Sequence, residues 1–189
     1  PLFEFAPFVW LMSKAYTFIS YNRRVIIPGK ISLHIENNGD KVMSQPGFKL
    51  KYRIAYLTVA WLITGYILSV YVKLMTGALP QGTAWREYLI CGGQVFFQGP
   101  IIHKDKKWDY LGNMMTISLI GALLLLPGLL VAVWLRSDPV YYVVWFMGVA
   151  GIMLLLHIRR SRLLGIGWLL TFSWVLYRLM VLLLIFLNK

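Results

Sequence analysis

The chain has 189 residues, 59% of them hydrophobic, a mean hydropathy of +0.66 and a formal net charge of +12. Apolar residues gathered into long uninterrupted runs exclude an ordinary soluble domain and predict an all-α membrane protein. The single cysteine, Cys91, excludes an internal disulfide framework, and no Cys/His spacing matches a zinc site.

Residues 1–24 read as an amphipathic helix within a first segment, 1–28. Pro7 suits a first helical turn, and Phe8, Leu11, Met12, Ala15, Tyr16 and Ile19 form an apolar face opposite Ser13, Lys14, Thr17 and Ser20. The stretch is too short and too two-sided to span a bilayer. It packs on a soluble domain or lies in the membrane interface. No secretory signal opens the chain, and Pro1 stands in mid-pattern, as expected of a piece of something longer. Residues 29–53 read as a polar linker. Pro28-Gly29, Asn37-Asn38-Gly39-Asp40 and Pro46-Gly47 are turn signals, leaving room for a short hairpin or none; His34 lies among them.

Five apolar stretches follow, at about 54–72, 86–102, 110–135, 140–157 and 166–187, and predict a five-helix transmembrane bundle. The first is long enough for a hydrocarbon core of about 30 Å at about 1.5 Å per residue, with Tyr52, Tyr56 and Tyr71 near its ends. The second is shorter and stops at Gly99-Pro100. Its Glu87, Cys91, Gln94 and Gln98 recur every three or four residues and share one helical face. Polar groups in or beside lipid are costly, so that face turns toward other helices. A loop over 103–109 leads to the third stretch, where Asp109 and Asn113 read as capping residues. Pro127-Gly128 predicts a kink whose freed carbonyl finds a neighbour. Asp138-Pro139 signals the start of the fourth, and a basic loop over 157–162 its end. Gly148 and Gly151, like Gly92 and Gly93, permit close helix approach.

Charge supports this count. Five crossings place fourteen of the 19 Lys and Arg residues on one side, including Arg23, Arg24, Lys49, Lys51, Arg53, Lys104, Lys106, Lys107, Arg159, Arg160 and Arg162. That asymmetry is the positive-inside pattern: plasma (inner) membrane, N-terminus cytoplasmic, C-terminus outside. It also accounts for the net charge without a nucleic-acid partner, and no pattern for base stacking or a phosphate loop is present.

Arg178 lies deep inside the last stretch, where a central arginine costs about 2.5–3.5 kcal/mol on insertion scales. Counted from the outer side it is level with Gln94. It reads as a structural clamp, hydrogen-bonded to Gln94 and balanced by Glu87; a substrate- or quinone-facing role and snorkelling are the other readings. Cys91 is a relay thiol or a small apolar filler. His103 and His157 fall at the cytoplasmic ends of the second and fourth stretches, level as haem ligands would be, yet their basic neighbours suit interface solvation better. No cofactor or metal is assigned.

The pattern Val9-Trp10, Tyr16, Ile19, then Tyr21-Asn22-Arg23-Arg24 resembles the closing helix of the DCC family of thioredoxin-like thiol–disulfide oxidoreductases. The resemblance covers about the first 28 residues. It implies an upstream domain carrying a Cys-x-x-Cys and a membrane region that anchors it at the cytoplasmic face. No residue here corresponds to that dithiol. A non-enzymatic membrane scaffold or assembly protein is the alternative, and a permease-like half-transporter a further one. No inverted repeat is visible to favour the last.

Overall fold

The first helix, α1, spans Ala6–Ile26, with Pro7 in its first turn. The computed structural model describes residues 5–28, 33–35, 41–43, 47–80, 82–83, 85–134 and 138–187. Of the two alternatives left open for the linker, the short hairpin is the one present, as β1, Leu33–Ile35, paired antiparallel with β2, Lys41–Met43; the Asn37–Asp40 turn signals lie outside the described residues. Then come α2 (Leu50–Tyr71), α3 (Arg86–Gln98), α4 (Lys104–Trp134), α5 (Pro139–Leu163) and α6 (Trp168–Leu187).

Among the described residues, four segments are long and apolar enough to cross a membrane: Leu50–Met75, Lys104–Trp134, Pro139–Leu163 and Trp168–Leu187. The 86–102 stretch is not among them. Gly99-Pro100 ends α3 after 13 residues, about 20 Å at 1.5 Å per residue, and only one 3-10 turn, Gly99–Ile101, extends it. Two expected loops are helix instead. Residues 104–109 form the first turns of α4, and 157–162 the last turns of α5, because no Gly or Pro interrupts either run. Asp138 does start α5: its carboxylate accepts from the Val140 amide at 2.9 Å. At Pro127, Trp145 Nε1 donates to the Leu124 carbonyl at 3.0 Å, next to the Leu123 carbonyl that proline leaves without its helical partner.

Side-chain contacts give each helix its direction. Arg53–Asp109 and Tyr56–Thr116 align α2 parallel to α4, whereas Tyr110–His157 and Leu124–Trp145, with Gly121 against Met153 between them, set α5 antiparallel to α4. Gln98 meets Leu170 and Ser173, and Tyr177 meets Ile90, so α3 is antiparallel to α6. It is antiparallel to α2 too: Tyr88 fits against Gly65 and Gly92 against Trp61. Direction therefore alternates through α2–α6, and the basic helix ends meet at one end of the bundle. After α2 the chain folds back through a 3-10 turn, Val72–Met75, with Met75 buried. This return lets α3 begin level with Gly65, six residues short of the end of α2, about 9 Å. That is why a short helix still reaches the basic end.

Two apolar clusters fill the interior. One, near the basic end, joins Ala60, Ile102, Tyr110, Leu111, Met114, Met115, Leu170 and Trp174. The other joins Ile67, Tyr71, Met75, Ala122, Leu125, Tyr142 and Val149. Outside them the bundle is apolar as well. α3 shows this most clearly: its polar residues are buried, while Leu89 is 71% and Phe96 82% exposed. A helix in water has the opposite polarity.

Candidate functional site

A buried polar chain runs across four helices near the basic end. Tyr110, in the second turn of α4, donates through its hydroxyl to Gln98 Oε1 at 3.0 Å. With that proton committed, the phenol oxygen accepts from His157 Nε2, 2.9 Å away, which makes Nε2–H the consistent tautomer. His157 Nδ1 then accepts, with Thr171 Oγ1 at 3.3 Å and Ser161 Oγ at 3.4 Å. Gln98 Nε2 donates to the Leu170 carbonyl and to Ser173 Oγ, both at 3.2 Å. Gln98, Tyr110 and His157 are each under 3% exposed. Every bond in this chain joins neutral groups, so it ties α3, α4, α5 and α6 together without burying a charge.

A second cluster closes the end of α1. The last carbonyls of a helix have no partner inside it. Arg160 Nη1 donates to the Val25 carbonyl at 2.6 Å and to Asn113 Oδ1 at 3.0 Å, and Nη2 donates to the Ile26 carbonyl at 3.2 Å. A cation at the helix C-terminus also meets the negative end of its dipole. Thr116 Oγ1 lies 2.9 Å from the same Val25 carbonyl and 2.7 Å from the Tyr56 hydroxyl. Asn22 Nδ2 donates to the Tyr52 carbonyl at 3.0 Å, and Tyr21 stacks on Tyr52 at 4.6 Å between centroids. Gly112 makes room for this. A Cβ there would lie 2.6 Å from Arg53 Nη1 and 2.7 Å from Val25 Cγ1. Val25 is fully buried as a result.

On α3 the four residues of the polar face, Glu87, Cys91, Gln94 and Gln98, are all buried. The clamp drawn from it is not formed. Glu87 pairs with its neighbour Arg86, Nε to Oε1 at 2.8 Å, and Arg86 also donates to the Pro80 carbonyl. Gln94 is buried, with neither amide atom hydrogen-bonded among the described residues. Arg178 lies over the Trp174 ring, 5.3 Å from its centroid, with Nε unpartnered among the described residues. Its charge and that of Glu87 both act on Cys91, which is 3% exposed and free.

The two histidines are not a pair. His103 is exposed at the connection into α4, whereas His157 is buried among Tyr110, Thr171 and the Trp174 ring. Interface solvation, expected for both, therefore fails for His157, because its loop is helix and faces inward. Among the described residues no three His, Cys, Asp or Glu gather as a metal would require. Asp109 and Asn113 do not cap α4, which starts five residues before Asp109. Asp109 pairs with buried Arg53 at 3.2 Å instead, and Asn113 receives Arg160. Nor does a helix approach Gly148 or Gly151: among the described residues, a methyl group at either would meet nothing within 4 Å. Gly92 and Gly93 do meet Trp61 and Tyr177.

Tyr110, Arg53, Tyr56, Thr116 and Arg160 are site residues that the sequence does not single out. A signal is there nonetheless: 110, 113 and 116 on α4 and 157, 160 and 161 on α5 are polar positions at helical spacing within apolar runs. Comparison with family models, with curated proteins and with solved structures finds no match to this chain.

Proposed function

We infer that this chain is a five-pass membrane domain that holds α1, and the thioredoxin-like domain implied by the DCC resemblance of α1, at its basic, cytoplasmic end. The observation that carries the reading is the double use of α1. Ala15, Phe18, Asn22 and Val25 turn toward the bundle. The apolar positions Leu11, Met12, Tyr16 and Ile19 point away from it, each more than half exposed. The outward positions belong to the apolar face expected from the sequence, and they provide the surface on which a preceding domain rests. The five-pass count is supported by the alternating directions of α2–α6 and by the lipid-suited exterior of α3. Its orientation is supported by the basic helix ends, through the positive-inside rule.

Two experiments test this. The coding sequence upstream of Pro1 should contain a Cys-x-x-Cys within a thioredoxin-like pattern; a start codon close to Pro1 overturns the redox reading. Single cysteines introduced at Thr83 and at Lys104, in a Cys91→Ala background, should be labelled by an impermeant maleimide from opposite sides of sealed vesicles. Labelling from the same side overturns the five-pass count.

A second reading, a membrane scaffold without chemistry of its own, draws on the polar chain itself. Gln98, Tyr110 and His157 have their hydrogen bonds made within the protein, as a structural lock requires. Absence of the upstream dithiol leaves this reading in place.

A further inference from the structure

The turn from α5 to α6 is built to leave two arginines unused. Leu164, Gly165 and Ile166 bond back to the carbonyls of Arg160, Arg162 and Ser161, and Gly165 takes φ +58, in the left-handed region that favours glycine. Lys106 reaches across from α4, its ammonium 2.9 Å from the Leu164 carbonyl and 3.4 Å from that of Gly165. The last carbonyls are thus covered by another residue. Arg159 and Arg162 stay exposed, and among the described residues neither forms an ion pair. Arg162 lies over the Trp168 ring, its Cζ 5.1 Å from the centroid, a cation–π contact that holds the guanidinium beside the indole.

Beside these arginines is an open groove of about 550 Å³ lined by Leu155, Ile158, Arg159, Arg162, Leu163 and Trp168. A smaller recess of about 240 Å³ adjoins it, sharing Ile158, Arg162 and Trp168 and reaching Thr171. The groove is charged at the bundle's basic end and apolar along α5, where Leu155 is 68% exposed. A free anion would leave the apolar wall empty. A hydrocarbon chain alone would leave two guanidinium groups without a counterion. One occupant satisfies both parts: a phosphate ester carrying an acyl chain. Arginine forks match phosphate oxygens two at a time, and an indole prefers the depth of lipid headgroups.

We propose that this groove binds one anionic phospholipid, its phosphate between Arg159 and Arg162 and an acyl chain along Leu155 and Ile158. The proposal rests on the reading that α5 and α6 cross the bilayer. It adds a defined binding site to the general attraction of basic loops for anionic lipid.

The test uses the whole chain in detergent, titrated with phosphatidylglycerol or phosphatidylcholine and read by native mass spectrometry. Wild type should bind one phosphatidylglycerol about thirtyfold more tightly than phosphatidylcholine, the scale expected of two basic residues near an anionic headgroup. Arg159→Gln/Arg162→Gln should lose that preference, with an unchanged thermal melt. Lys14→Gln/Lys104→Gln, which removes as much charge elsewhere, should keep it. Excess inorganic phosphate should leave the bound lipid in place. Equal affinity of wild type for the two lipids overturns the proposal, and so does a preference that survives in the arginine variant or yields to phosphate. Alkaline extraction of membranes separates the two levels. A chain that stays in the pellet but shows no lipid preference sinks the site alone, and a chain released into the supernatant sinks the membrane reading too.

Discussion

Arg160 and Val25, 135 residues apart in the chain, are joined by a 2.6 Å hydrogen bond from a buried guanidinium to a helix-terminal carbonyl. With the companion bond to Ile26, this is how the carbonyls at the end of α1 find partners inside the bundle. Arg160→Met should free that end. Hydrogen bonds to charged groups contribute about 1.5–3 kcal/mol each, so for the two bonds to α1 a loss of about 3–6 kcal/mol is expected in thermal melts of the detergent-solubilised chain. Limited proteolysis at Arg23 and Arg24 should accelerate in parallel. A variant with wild-type melting and wild-type cleavage would show that the bond holds nothing.

Gly112 and Gly148 provide an internal comparison. Both are helical glycines in apolar surroundings, yet only Gly112 has side chains pressed against it. Gly112→Val should destabilise by about 1–3 kcal/mol through overpacking against Val25 and Arg53. Gly148→Ala, with open space around it, should be neutral or stabilising by about 0.5–1 kcal/mol through helix propensity. Equal melting shifts would contradict this packing.

Tyr110→Phe removes one oxygen and leaves two buried groups, Gln98 Oε1 and His157 Nε2, short of a partner. A loss of about 1–3 kcal/mol per unsatisfied group is expected from equilibrium unfolding. The double variant Tyr110→Phe/His157→Phe should lose less than the sum of the single variants, since the second change removes a group the first had orphaned. Strict additivity would mean the two side chains act independently.

Glu87 and Arg178 should not be coupled. Glu87 is held by Arg86, and Arg178 by the Trp174 ring. In a double-mutant cycle of Glu87→Gln and Arg178→Leu, the interaction energy should fall within about 0.5 kcal/mol of zero. Arg178→Leu alone should be tolerated or favourable for insertion, as it removes a costly central charge from α6. A coupling well above that range would restore the clamp.

These four cases divide along what a one-dimensional pattern carries. The apolar runs announce α2, α4, α5 and α6, and the spacing of 87, 91, 94 and 98 announces which side of α3 faces inward. Both follow from helical geometry alone. Partners do not follow. Glu87 has an adjacent arginine as well as a distant one, and depth counted in residues does not choose between them. The return through Val72–Met75 shifts α3 along the bundle by an amount that nothing in the pattern reveals. Dense charge imitates a loop at 103–109 and 157–162, where the chain is mostly helical. Lysine and arginine are good helix formers, so density of charge locates the end of the bundle without locating the ends of the helices. The face of α1 that meets the bundle is hidden for a related reason. Its hydrogen bonds, at Asn22 and Val25, are made by backbone carbonyls and one side-chain amide, which an apolar count does not register.

The hydrogen bonds of Gln98 have a consequence for the order in which the chain can be assembled. Its partners lie on α4 and on α6, and those on α6 are synthesised more than seventy residues later. When α3 first emerges it is too brief to hold a membrane-crossing position by length, and two of its glutamine's three bonds have nowhere to go until α6 is made. Its final seat therefore waits for the last helix. A chain stopped before Trp168 would carry four complete helices in its sequence and still leave this one unplaced.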